Sequence, residues 1–196
     1  MSDTATLSRD GAAPRARNAA TTRAAILEAA KALFARVGYD LTSLRDIAVE
    51  AGADAALVKR YFGGKESLFR EALEASFRPD SLKGMDRTSF AREVATMMAG
   101  TPHADEARNH TFQFLLRAAT SPTTAPMLNA AMQERFLGPI REWIGGDDAP
   151  ARARVLAAIY IGLLVERLIR DEPLAGQERA IFIEHVASAL GRELAS

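Results

Sequence analysis

The sequence contains no cysteine. Disulfides, thiolate nucleophiles and Cys-ligated zinc or iron–sulfur centres are therefore excluded. Long hydrophobic runs are missing too. The most apolar stretch, residues 155–165, is about half the roughly 20 residues that a membrane-spanning helix requires. The first 21 residues have no apolar segment and include Asp3 and Asp10, so they do not read as an export signal. A cytoplasmic protein with no membrane partner is expected.

Net charge is also absent, with 25 Lys and Arg against 25 Asp and Glu. That excludes a chain coated uniformly in cations, but not a local basic surface. Residues 1–65 hold ten basic and seven acidic side chains, a net +3, and the remainder carries −3. Motifs of nucleotide and covalent chemistry are missing. Gly63-Gly64-Lys65-Glu66 lacks the upstream glycine and the following Ser or Thr of a P-loop, and no G-x-G-x-x-G occurs. No nucleophile elbow surrounds a serine. Neither an enzyme nor a cofactor is expected. No metal is expected either, because His103 and His110 lie ~10 Å apart along a helix, too far for one ion at ~2.1 Å ligand distances.

What is present is helical periodicity. With 196 residues, 48% hydrophobic and 26% charged, the chain is long enough to bury a core. Residues 1–21, rich in Ala, Ser, Thr and Asp, read as a disordered basic arm carrying Arg9, Arg15 and Arg17. From Thr22, the positions Ile26, Ala29, Ala30, Leu33, Phe34 and Val37 form one apolar helix face that ends at Gly38. Ser43-Leu44-Arg45-Asp46 approximates a capping box, and Leu44, Ile47, Ala48 and Ala51 supply the inner stripe of the helix it opens. Gly52 stops that helix. Asp54 caps the next, which turns Val58 and Phe62 inward. Gly63-Gly64 breaks it, and a fourth helix follows through Leu68, Phe69, Leu73 and Phe77. Helical patterns continue to the C-terminus, with Gly138-Pro139 predicting a kink, because proline removes an internal hydrogen bond. No alternating β pattern occurs.

Residues 42–61 carry the functional signal. Two helices joined by a tight Gly-containing turn make a helix-turn-helix, whose second helix enters the major groove of double-stranded DNA. Here Ala55, Ala56, Leu57, Lys59, Arg60 and Tyr61 face outward. The alanines permit close approach, Leu57 suits a thymine methyl, and Lys59 and Arg60 suit phosphates. An ordinary helical corner with a solvated face has the same spacing.

Taken together, Ile26-Leu27-Glu28-Ala29-Ala30, Leu33-Phe34, Gly38-Tyr39, Thr42-Ser43, Asp46-Ile47-Ala48, Ala51-Gly52, Tyr61-Phe62 and Lys65-Glu66-Ser67-Leu68-Phe69 resemble the N-terminal domain of the TetR family of transcriptional regulators. The likeness runs in order through about 45 residues. It implies an all-α fold: a three-helix helix-turn-helix DNA-binding domain over 22–66, then a helical ligand-binding and dimerisation domain over 67–196. It also implies a homodimer that binds a palindromic operator and is released by a small, mostly apolar inducer. By position, Thr42 and Ser43 would meet phosphate, Arg45 would lie on the DNA side, and Lys65 would hold a backbone phosphate. Two positions depart from the common pattern. Lys59 stands where an aromatic residue is usual, and Asp54 where serine is frequent. Both bear on the operator sequence. The competing reading is an all-α small-molecule carrier or scaffold with a degenerate DNA-binding domain.

In the C-terminal part, Met97, Phe112, Leu116, Met132, Phe136, Trp143 and Tyr160 are candidate ligand-cavity residues, since methionine and aromatics suit adaptable apolar pockets. They suit a plain core equally well. The segment 155–169 is apolar over more than one face and must be covered on more than one side. It is therefore expected, with the last helix, to form the dimer, and Ile159→Arg or Leu163→Arg is expected to give a monomer. The fourth helix is the expected lever between the two domains.

Overall fold

The computed structural model describes residues 12–77, 86–101, 106–170 and 172–195. Ten α-helices and no strand occur among them: α1 (Ala12–Arg36), α2 (Leu44–Glu50), α3 (Ala55–Phe62), α4 (Lys65–Ser76), α5 (Arg87–Met98), α6 (Glu106–Thr120), α7 (Ala125–Met132), α8 (Gly138–Ile144), α9 (Ala149–Ile169) and α10 (Gly176–Leu194). A π-helical turn, Gln133–Leu137, joins α7 to α8.

The chain divides into two units, Met1–Ala72 and Leu73–Ser196. The division falls inside α4, six residues beyond the boundary that the sequence suggests. Leu68, Phe69 and Ala72 account for the difference, because all three are buried in the first unit. In that unit Phe69 meets Phe34 and Tyr39 edge-on, with ring centroids at 5.0 and 4.9 Å. Ile26, Ala30, Ile47, Val58 and Leu68 complete the core. At its margin the Arg23 guanidinium lies 4.7 Å over the Phe62 ring and pairs with Glu71 at 2.6 Å, tying α1 to α3 and α4.

The expected arm needs correction. Residues 1–11 lie outside the described residues, but 12–21 belong to α1. Ala12, Ala13, Ala19 and Ala20 are the best helix formers, and Pro14 falls in the first turn, where its missing N–H costs nothing. Thr22, where the apolar period begins, is therefore interior to α1.

In the second unit the core is built on α5, α8, α9 and α10, with Met98, Ile140, Ile144, Leu156, Leu164, Ile183 and Leu190 among its buried side chains. Arg167 of α9 and Arg170 at its C-cap hold the end of α5 and the turn after it. Buried Arg167 donates to the Thr101 carbonyl at 2.8 Å, and Arg170 donates to the Met98 carbonyl at 2.6 Å. The last carbonyls of a helix have no intrahelical partner, and here the Arg170 guanidinium satisfies that of Met98. The expected kink at Gly138-Pro139 takes the form of the π turn, closed by the Gly138 N–H donating to the Gln133 carbonyl.

Candidate nucleic-acid interface

The helix-turn-helix is assembled by local bonds that the sequence specifies. Ser43 caps α2: its hydroxyl accepts from the Asp46 N–H at 3.1 Å, while the Asp46 carboxylate accepts from the Ser43 N–H at 2.8 Å. Gly52 has φ +62°, a left-handed conformation that glycine adopts at no steric cost. It allows a Schellman closure, in which the Gly52 N–H bonds the Val49 carbonyl and the Ala53 N–H bonds the Ala48 carbonyl, at 3.1 and 2.9 Å. That closure sets the angle at which α3 leaves. Asp54 then caps α3 by accepting from the Ala56 N–H at 2.7 Å.

On α3, Val58 and Phe62 are buried, while Ala55, Ala56, Lys59 and Arg60 are exposed. Leu57 and Tyr61 are half-buried, with the Arg60 guanidinium 5.7 Å from the Tyr61 ring centroid. Ser43, Arg45 and Asp54 are exposed. One end of the unit thus presents two small side chains at the start of α3, then two cations one turn on. A groove-entering helix meets base edges with its N-terminal residues, and here those are the small ones.

The structure bears on two sequence assignments. Thr42 was expected to meet phosphate, but it is buried, and its hydroxyl donates to the Gly38 carbonyl at 2.7 Å. The turn after α1 leaves that carbonyl without a helical partner, and Thr42 takes it. Lys65 was expected to hold a phosphate. Its ammonium donates to the Tyr39 carbonyl at 3.1 Å and sits 4.3 Å from the Tyr39 ring centroid. One of three N–H donors is thereby used in fixing the start of α4. Burial, followed by the neighbouring Glu66 and Asp40 carboxylates, pushes the Tyr39 hydroxyl above its ordinary value.

The Asp46 carboxyl titrates below its ordinary value of 3.8, first through the Ser43 hydroxyl and then through the Ser43 N–H. A carboxylate lowered in the folded state stabilises above its unfolded value, and the contribution is lost as pH falls through the lowered one. A carboxyl-carbon NMR titration should place the Asp46 midpoint below 3.8. Ser43→Ala should move it upward.

The candidate ligand residues are only partly brought together. Phe136 lies between Phe77 and Tyr160, with ring centroids at 5.9 and 6.4 Å. Trp143 is in a different cluster, edge-on to Phe90 at 5.0 Å. Leu116 is half-buried against the core, and Phe112 is part of it. Met132 is half-buried. Met97 accepts from Arg108 through its sulfur and lines a shallow groove of about 440 Å³ on the outer face of α5, with Ser89, Arg92, Glu93 and Thr96. Burial raises the Tyr160 hydroxyl above its ordinary value, and the Arg108 and Arg167 guanidiniums oppose that rise. The sequence reading missed the ion pair between Arg135 and Glu74 at 3.1 Å. Residues 61 positions apart leave no local signal of pairing.

Known proteins match both units. Residues 26–72 match the family model for bacterial regulatory proteins of the tetR family, and residues 88–194 match the model for the tetracyclin repressor-like C-terminal domain. The HTH-type transcriptional regulator BetI of Agrobacterium fabrum (strain C58) is 27% identical over 163 residues, spanning 78% of this chain and 79% of BetI. Among solved structures, NalD of Pseudomonas aeruginosa, described as the secondary repressor of the MexAB-OprM multidrug efflux pump, is 25% identical, with a TM-score of 0.62 over 88% of this chain and 95% of NalD. SCO7518 of Streptomyces coelicolor A3(2) is 27% identical, with a TM-score of 0.61 over 86% of this chain and 98% of that protein. An ordered helix-turn-helix with an exposed basic second helix, followed by a matching C-terminal domain, places the chain in the TetR family of transcriptional regulators.

Proposed function

We propose that the protein is a homodimeric repressor that binds a palindromic operator and leaves it when a small, mostly apolar inducer occupies the second unit. The observation that carries this reading is α3, with Val58 and Phe62 buried and Ala55, Ala56, Lys59 and Arg60 presented outward. Ser43, Arg45, Asp54, Leu57 and Tyr61 flank that face. Lys65 holds a phosphate with the N–H donors that Tyr39 leaves it. The likeness to NalD supports repression over activation. The protein has no catalytic role and acts in the cytoplasm, where the operator is.

The dimer forms through α9 and α10. Val155, Ala158, Gly162, Val165 and Ile169 recur at alternating three- and four-residue spacing, and all five are exposed. Ile181 on α10 is exposed as well. The inducer lies among α5 to α9, near Phe136 and Tyr160, where Phe112 belongs to the core and Met97, Leu116 and Trp143 pack against it. Binding shifts the protein between two shapes, by no more than the inducer's differential affinity for them.

Selection of duplexes from a random pool, followed by footprinting, tests the function. The expected result is a palindrome whose half-sites lie one helical turn, ~34–36 Å, apart. A pool with no enriched duplex would overturn the reading. With the selected operator, log K should fall with log salt by about 0.9 per phosphate contacted. Lys59→Ala should flatten that slope by about one unit and weaken all sequences alike.

A further inference from the structure

The π-helical turn Gln133–Leu137 holds the end of α4 and the half-buried Tyr160 at once, all within the second unit. Arg135 reaches Glu74, in the last turn of α4, at 3.1 Å. The next residue, Phe136, packs on Phe77 just past α4 at 5.9 Å and on Tyr160 of α9 at 6.4 Å. Adjacent residues of an α-helix point ~100° apart. If the turn rewound to α closure, Arg135 and Phe136 would swing by about that angle and lose one set of partners.

The turn is held in π closure by two residues. The Gly138 N–H donates to the Gln133 carbonyl, five residues back. A Cβ on Gly138 would lie 3.1 Å from that oxygen and crowd the bond. Pro139 has no N–H to give the Arg135 carbonyl, which removes one bond that α closure would gain. Single π turns within α-helices are frequent at functional positions. A turn that could pass from this closure to α closure, with different contacts in each, would be the kind of bistable element through which sites are coupled.

We propose that this π turn is the coupling joint of the protein: its register reports the occupancy around Tyr160 to α4 through Arg135 and Phe136. The inference rests on the reading of the chain as an operator-binding regulator. α4 runs unbroken from the first unit into the second, so whatever repositions Glu74 and Phe77 acts on the helix that also carries Lys65 and Phe69. Arg135 and Phe136 are positioning residues and touch no DNA.

Coupling is reciprocal, so operator DNA alone should reset the turn, and no inducer is needed to test it. The full chain is incubated with a selected operator duplex, and backbone amide exchange is followed across residues 132–140. The expected result is at least a fivefold change in exchange on saturation with duplex, the lower end of ordinary allosteric coupling. Glu74→Gln should still bind duplex but lose most of that change. Gly138→Ala, with its melting temperature recorded as a folding control, should alter operator affinity fivefold or more. Exchange that stays constant while duplex is bound would overturn the coupling and leave the DNA-binding reading intact. So would a folded Gly138→Ala protein with wild-type affinity and wild-type exchange response. Failure to enrich any duplex would overturn the DNA-binding reading itself, and the joint with it.

Discussion

Val165→Arg should convert the protein to a monomer whose operator affinity is at least 100-fold weaker. The residue sits on the exposed α9 stripe, 38% exposed, between Gly162 and Ile169, which is 75% exposed. Beyond the backbone of α9 itself, no atom would lie within 4 Å of a Cβ at Gly162, so the centre of this face is open to another helix. A two-fold interface presents the same residue from both copies, so one substitution places two guanidiniums on opposite sides of a shared apolar seam. Burying unpaired charge costs several kcal/mol, and a loss of ~2.7 kcal/mol already weakens binding 100-fold. A single half-site reader then binds with one helix instead of two. Sedimentation with and without a selected duplex checks both parts, and a folded Val165→Arg protein that stays dimeric refutes the assignment. Ile159 and Leu163, the positions that the sequence suggested, are poor choices. Both are half-buried against their own core, so an arginine there would disturb the fold before it disturbed the dimer.

Phe69→Ala should unfold the first unit and leave the second largely intact. Phe69 is 1% exposed and is the ring on which Phe34 and Tyr39 converge. Removing a buried phenylalanine costs about 3–5 kcal/mol through lost transfer energy and the cavity left behind. A small unit is marginally stable to begin with, so that cost takes most of what holds α1 to α4 together. Exposed Lys59 and Arg60 would remain in the chain but without a fixed α3 to present them, and operator binding should be abolished. The expected signature is a low-temperature transition separate from the main one, with Trp143 fluorescence, which reports only the second unit, unchanged through it. A single cooperative transition for both units would contradict this division.

The sequence by itself determined the local elements of the DNA-binding unit. Their causes are short-range: the Ser43–Asp46 box, the left-handed Gly52, the Asp54 cap and the Val58–Phe62 spacing all act within six residues. It also determined the family, because those elements occur in order with words that match it. Tertiary structure decided the rest. Thr42 reads as a polar residue at a helix start, yet burial beside the Gly38 carbonyl takes its hydroxyl away from any ligand. Lys65 reads as a cation for a backbone phosphate, and only the fold shows that one of its donors goes to the Tyr39 carbonyl beside the Tyr39 ring. On α9 the apolar positions are alike in sequence. Only packing separates Leu156 and Leu164, which fill the core, from Val155, Val165 and Ile169, which do not. The pairing of Arg135 with Glu74 and of Phe136 with Phe77 and Tyr160 depends on contacts between helices far apart in the chain. Periodicity marks which face of a helix is apolar; which partner covers that face is a property of the assembled fold.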